Sequence, residues 1–156
     1  MATHKTFASL GKALVELGED IEEETASVMK TAASEGLKAA VLNTAVDEGT
    51  ARSNWITSTG QPVKDTRIPF YKGKRLGIDE TQNAIAAIND GNARLRRYQV
   101  KDGPIFISNS VPYIGDLDRG SSPQSPGMTM FALEAISRVF RGAKLFRRNR
   151  LQRLSK

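Results

Sequence analysis

The chain has 156 residues, a net charge of +6 and no cysteine. That length suits one domain whose core needs no covalent staple, and the missing thiols exclude disulfides, thiolate zinc centres and thiol catalysis. A single histidine, His4, leaves no material for a His-ligated metal site or a Ser-His-Asp triad.

Residues 5–43 read as helix. Phe7, Leu10, Leu14, Leu17, Ile21 and Val28 recur at spacings of three, four and seven, one face of an α-helix. Gly18 and Gly36 are weak points, so the stretch is one long helix or two in line. Glu24 interrupts the heptad, and the stripe is therefore expected to be a core face rather than a coiled-coil seam. The other side carries Glu16, Glu19, Asp20, Glu22, Glu23 and Glu24 with no intervening base.

Asp47-Glu48-Gly49 reads as a turn. Ser53–Ser58 then alternates with period two and is expected to be a strand. Trp55, the only tryptophan, belongs in the core with a partner for its indole N–H. Residues 60–78 hold two prolines, three glycines and five Lys/Arg. They read as a long exposed loop with a short strand near Ile68–Tyr71.

Asp79 with Gln82 resembles a capping box opening a helix that places Ile85, Ile88 and Leu95 on one face. A helix running through Asp90-Gly91-Asn92 is preferred to one that stops there and leaves Leu95–Val100 as a strand. Ile105–Ile107 is a short strand on either reading. Residues 109–127 form a second turn-rich loop. A last helix starts near Met128, and Gly142 marks its end or a joint before a basic amphipathic extension. These elements predict an α+β fold: a long N-terminal helix and two further helices packed on a small antiparallel sheet. The division expected is one domain over 1–142 and a basic extension over 143–156, partly disordered in the free protomer.

Little here points to catalysis. Asp116-x-Asp118 is an acidic pair of the kind usually found as turn formers rather than as a metal site. The stretch Lys72-Gly73-Lys74-Arg75-Leu76-Gly77 lacks the spacing of a phosphate loop. The expectation is a non-enzyme with no cofactor and no metal. No apolar run reaches the ~20 residues of a membrane span, and the first ten residues lack an apolar signal core, so a soluble chain made in a cytoplasm is expected, with no membrane partner.

Charge is divided along the chain. Residues 1–60 carry five Lys/Arg and nine Asp/Glu, whereas Arg138–Lys156 holds eight basic residues and no acid. Blocks of this kind are solvated faces or docking segments. Arg141, Lys144, Arg147, Arg148, Arg150 and Arg153 are the candidate contacts to non-specific DNA or to an acidic partner.

Two stretches carry a family resemblance. Val46-Asp47-Glu48-Gly49-Thr50-Ala51-Arg52-Ser53-Asn54-Trp55 resembles the V-D-T-G-x-x-R-x-S/N-W segment of bacteriophage neck and tail-completion proteins, the group that includes minor tail protein Z. Ile107-Ser108-Asn109-Ser110-Val111-Pro112-Tyr113 resembles that group's I-S/T-N-N-x-P-Y segment. Leu117-Asp118, Gly120 and Gln124-Ser125-Pro126-Gly127-Met128 follow in the order of its next loop. Glu48, Ser110 and Asp118 depart from the group's usual threonine, asparagine and glutamate. The resemblance spans roughly residues 40–135. It implies a structural protein of a long-tailed phage, located in the virion neck or tail and in the host cytoplasm during assembly. It further implies a homo-oligomeric ring, hexameric by preference, between the tail terminator or tube and the head connector. On that reading the Tyr113–Met128 loop meets a partner, with Tyr113, Asp116, Asp118, Gln124, Pro126 and Met128 as candidates. Lys72, Lys74 and Arg75 are further candidates from the earlier basic loop.

Overall fold

The computed structural model describes residues 7–45, 49–71, 80–121 and 127–154, without the side chains of residue 80 and of 144–154. It is an α+β fold. In chain order come α1 (Phe7–Leu42), α2 (Thr50–Ser53), β1 (Ile56–Thr59), α3 (Glu80–Leu95), a 3-10 turn (Val100–Asp102), β2 (Ile105–Ser108), α4 (Ile114–Asp118) and α5 (Met128–Leu154). β1 and β2 pair antiparallel, with Ile56 opposite Ser108 and Thr59 opposite Ile105. Among the described residues no helix is long and apolar enough to cross a membrane.

The predicted long N-terminal helix is one continuous helix. Its second half makes the core. Leu37, Ala40 and Val41 meet Trp55, Ala84, Ala87, Met128 and Ala132, with Ile88, Ile107, Ile114 and Leu117 at the margin. Small residues let the elements come close. A Cβ on Gly36 would lie 2.7 Å from the Ile136 side chain, and one on Gly91 would strike Leu37. Gly36 thus marks a close helix approach rather than a break in α1. Contacts of Thr44 with Met128 and of Gly36 with Ile136 fix α1 and α5 as an antiparallel pair.

Trp55 is buried, and its indole N–H donates to Thr44 Oγ1 at 2.6 Å. The Thr44 hydroxyl donates onward to the Ala40 carbonyl at 2.7 Å, with the Met128 sulfur 3.4 Å away. One side chain near the end of α1 therefore anchors the tryptophan beside the first residue of α5.

Several expectations are corrected. Phe7, Leu10, Leu14, Leu17 and Ile21 are exposed, not core. The buried residues Ala26, Ala33, Leu37 and Ala40 lie on a face turned by about 120° from that stripe, at 3.6 residues per turn. Periodicity found the helix but assigned its N-terminal stripe to the wrong surface. Ser53 closes α2, and β1 begins only at Ile56. Ile68–Tyr71 forms no strand, and Ile85 is exposed while Ala84, Ala87 and Leu95 face inward. α3 runs through Asp90-Gly91-Asn92 as preferred, and the partner of β2 is β1 rather than residues 95–100. The second loop contains α4. α5 continues through Gly142 to Leu154 as backbone helix, so the chain shows no break at residue 142. Asp47, Glu48 and Asp79 lie outside the described residues.

Candidate assembly surfaces

The two stretches that carry the resemblance come together in space. Gly49, at φ 76°, sits in the left-handed region and precedes α2; side chains there are strained, and Gly is the residue that adopts it freely. The next residues hold the corner. Arg52 Nη2 donates to the Thr44 carbonyl at 3.0 Å, tying α2 to the end of α1. Asn109 Nδ2 donates to the Ala51 carbonyl at 2.7 Å, and its Oδ1 accepts the Val111 N–H. Ser110 Oγ donates to the Val63 carbonyl at 2.8 Å.

Two buried carboxamides clamp the loop that follows β1. Asn54 Oδ1 accepts the Arg67 N–H at 2.7 Å, and its Nδ2 donates to the Arg67 carbonyl at 2.9 Å. Asn83 does the same for Tyr71: its Oδ1 accepts the N–H and its Nδ2 donates to the carbonyl, both at 2.9 Å. Each amide satisfies one donor and one acceptor of a single residue, as a neighbouring strand would. Ser53 Oγ donates to Asn83 Oδ1 and ties the two clamps together.

Arg67 completes this arrangement. Its Nε donates to the Ser53 carbonyl at 2.6 Å, its Nη1 meets Asp90 Oδ2 at 2.8 Å, and its guanidinium lies 4.2 Å from the centre of the Phe70 ring. Arg94 adds a second contact to Asp90 at 3.1 Å. Partial burial pushes the Asp90 carboxyl up, but the hydrogen bonds and positive charges of Arg67 and Arg94 outweigh it and hold it below the ordinary aspartate value of 3.8.

The second loop is docked onto its own domain. Ile114 and Leu117 pack at the margin of the core, and Val111 is buried. Asp116 pairs with Arg119. Asp118 Oδ1 accepts the Thr129 N–H at 2.9 Å, and its carbonyl accepts the Gly127 N–H at 2.9 Å. Asp118 thereby satisfies orphan donors at the start of α5. Among the described residues no group of three acidic, His or Cys side chains is placed to hold a metal.

The predicted partner residues are consequently dispersed. Tyr113 is half exposed beside α4, and Asp116 stands on the surface. Asp118 is committed to α5. Met128 is fully buried in the core, which removes its side chain from any partner surface. Lys72, Lys74, Arg75, Gln124 and Pro126 lie outside the described residues. Arg141 is exposed on α5, and Lys144, Arg147, Arg148, Arg150 and Arg153 lie on its backbone helix. Extended at about 1.5 Å per residue, the antiparallel register carries this basic end toward the acidic stretch of α1.

Three surfaces stand out. One is the exposed apolar stripe of α1. Another is an open groove of about 660 Å³ with Glu19, Glu22 and Glu23 on one side and Arg96, Arg97 and Lys101 on the other. A third is an apolar hollow of about 410 Å³ bounded by Ile105, Ile107, Ile114, Leu133 and Ile136. Comparison with protein-family models, characterised protein sequences and solved structures gives no match.

Two outcomes follow from the clamps and the ion pair. Asn83→Ala orphans the Tyr71 backbone and the Ser53 hydroxyl. It is expected to cost about 2–3 kcal/mol in urea unfolding, the penalty for buried polar groups left unpaired, and to speed tryptic cleavage at Arg67. Because the folded Asp90 carboxyl titrates below its ordinary value, its contribution is complete above pH 3.8 and is lost as pH falls toward the folded value. Asp90→Asn is therefore expected to lower stability at neutral pH and to flatten the acid limb of the unfolding curve; an unchanged limb would count against the pair.

Proposed function

We propose that the chain is a structural assembly protein of a long-tailed bacteriophage. It forms a ring, six-membered by preference, at the head–tail junction, completing the tail and joining it to the connector. The reading is supported by the resemblance of residues 46–55 and 107–113 to neck and tail-completion proteins. The single observation that gives this weight is the Asn109–Ala51 hydrogen bond: residues far apart in sequence, and both within the resembling stretches, form one structural corner. Such a protein works by fit. Its surfaces of opposite sign and its apolar patches suit contacts between copies and with adjoining layers.

A second reading is a DNA-binding accessory protein acting through the basic end of α5. It is favoured by the uninterrupted helix that displays that end and by the phosphate affinity of clustered cations. The acidic stretch toward which α5 runs weighs against it.

Disruption of the gene in its parent phage is expected to yield filled heads and uncompleted tails that remain unjoined, with joining restored by supplying the chain. Reconstruction of the intact particle is expected to place the chain in the neck; a particle without it would overturn the proposal. For the second reading, deletion of 143–156 is expected to abolish any salt-dependent affinity for duplex DNA, and an unchanged affinity would dismiss a tail-driven mode.

A further inference from the structure

The first half of α1 bears an apolar surface that its own protomer does not use. Phe7, Leu10, Leu14, Leu17 and Ile21 are between 41% and 95% exposed. Their spacing alternates three and four, the a and d positions of two heptads. Glu24, at the next d position, is engaged within the protomer, so the seam closes after Ile21. An unpacked helical segment of this length is marginal in water on its own, and a contiguous apolar patch of this kind marks an interaction site.

A second observation narrows the occupant. Gly11 and Gly18, seven residues apart, flank the seam, and a Cβ on either would meet nothing within 4 Å. Glycine inside a helix costs about 1 kcal/mol relative to alanine, and packing within the protomer does not require it at these positions. Gly36 and Gly91 show the alternative use, since each admits a neighbouring side chain. A backbone approaching from outside would give Gly11 and Gly18 that same use.

We propose that α1 pairs with α1 of a second copy, antiparallel, along Leu10–Ile21. In an antiparallel seam the a layers of one helix face the d layers of the other. Leu14 then meets the partner's Leu17, and Leu10 meets the partner's Ile21. Gly11 faces the partner's Gly18, which lets the backbones approach closely. Charge selects this direction. A parallel pair would lay the Glu16–Glu24 block beside the same block of the partner. The antiparallel pair instead lays each block beside residues 7–15 of the partner, with the centres of the two blocks about nine residues, roughly 13 Å, apart along the axis. The helix is already anchored through Ala26 and the core, so little ordering entropy is lost on pairing. The contact is isologous and joins copies two at a time. It rests on α1 alone, independently of the phage reading.

The cysteine-free chain permits a clean test on the full-length protein. Leu10→Cys and Ile21→Cys are prepared separately, with tags of different size, and oxidised alone and mixed. The expected result is a disulfide-linked heterodimer only in the mixture, because each cysteine lies far from its own symmetry mate in the antiparallel pair. Unmodified protein is expected to show a concentration-dependent mass rising toward twice 17.0 kDa in sedimentation equilibrium. Leu14→Glu, on the solvent side of a folded protomer, is expected to abolish that rise with the Trp55 core intact by near-UV circular dichroism. Cross-linking of either variant by itself would show a parallel pair and overturn the proposal. So would a mass that stays monomeric at every concentration, which would assign the stripe to a different protein.

Discussion

The fold depends on side-chain amides that satisfy buried backbone beside a two-stranded sheet. Among the described residues the sheet has only β1 and β2, yet the chain after β1 runs along the same corner with peptide groups that need partners. Asn54 and Asn83 supply them, each pairing both the N–H and the C=O of one residue. A carboxamide is the side chain that reproduces a peptide unit, one donor edge and one acceptor edge in a plane. Neither aspartate nor leucine does so at the same volume. Ser53 links the two amides, and Trp55 carries the same corner into the core through Thr44. Three consecutive residues thereby connect a loop, a helix pair and a sheet.

This arrangement changes what the resembling stretches mean. Arg52, Ser53, Asn54, Trp55, Asn109 and Ser110 hold the domain's own parts together. Asp118 likewise serves the start of α5, and Met128 fills the core. On the proposed reading, the surfaces left for assembly lie elsewhere, on the outer half of α1, in the mixed-charge groove beside the 3-10 turn and along the basic end of α5.

Much of the architecture was legible in the sequence because it is written in local patterns. The 3.6-residue period gave α1, α3 and α5. The β-branched residues before Gly60 and after Gly103 gave two short strands, and the lone tryptophan announced a core position with a hydrogen-bonded indole. Other features left no local trace. An apolar stripe reports that one side of a helix is apolar but not what covers it, so Phe7–Ile21 was assigned to a core that lies about 120° around the helix. Arg67 was read as one more loop cation, because its partners Asn54 and Asp90 are 13 and 23 residues away. Ser53 fitted a two-residue alternation while belonging to a four-residue helical turn. In each case the missing information was the tertiary neighbour.

The placement of the single indole gives the molecule an optical division. Trp55 lies at the meeting point of α1, α5 and the sheet, shielded from solvent and bonded to a hydroxyl. Its emission therefore responds to the loosening of that junction and is blind to the fate of the outer turns of α1, more than twenty residues nearer the N-terminus. Far-ultraviolet ellipticity weights those outer turns fully. Two signals native to the unlabelled chain thus resolve its anchored part from its projecting part.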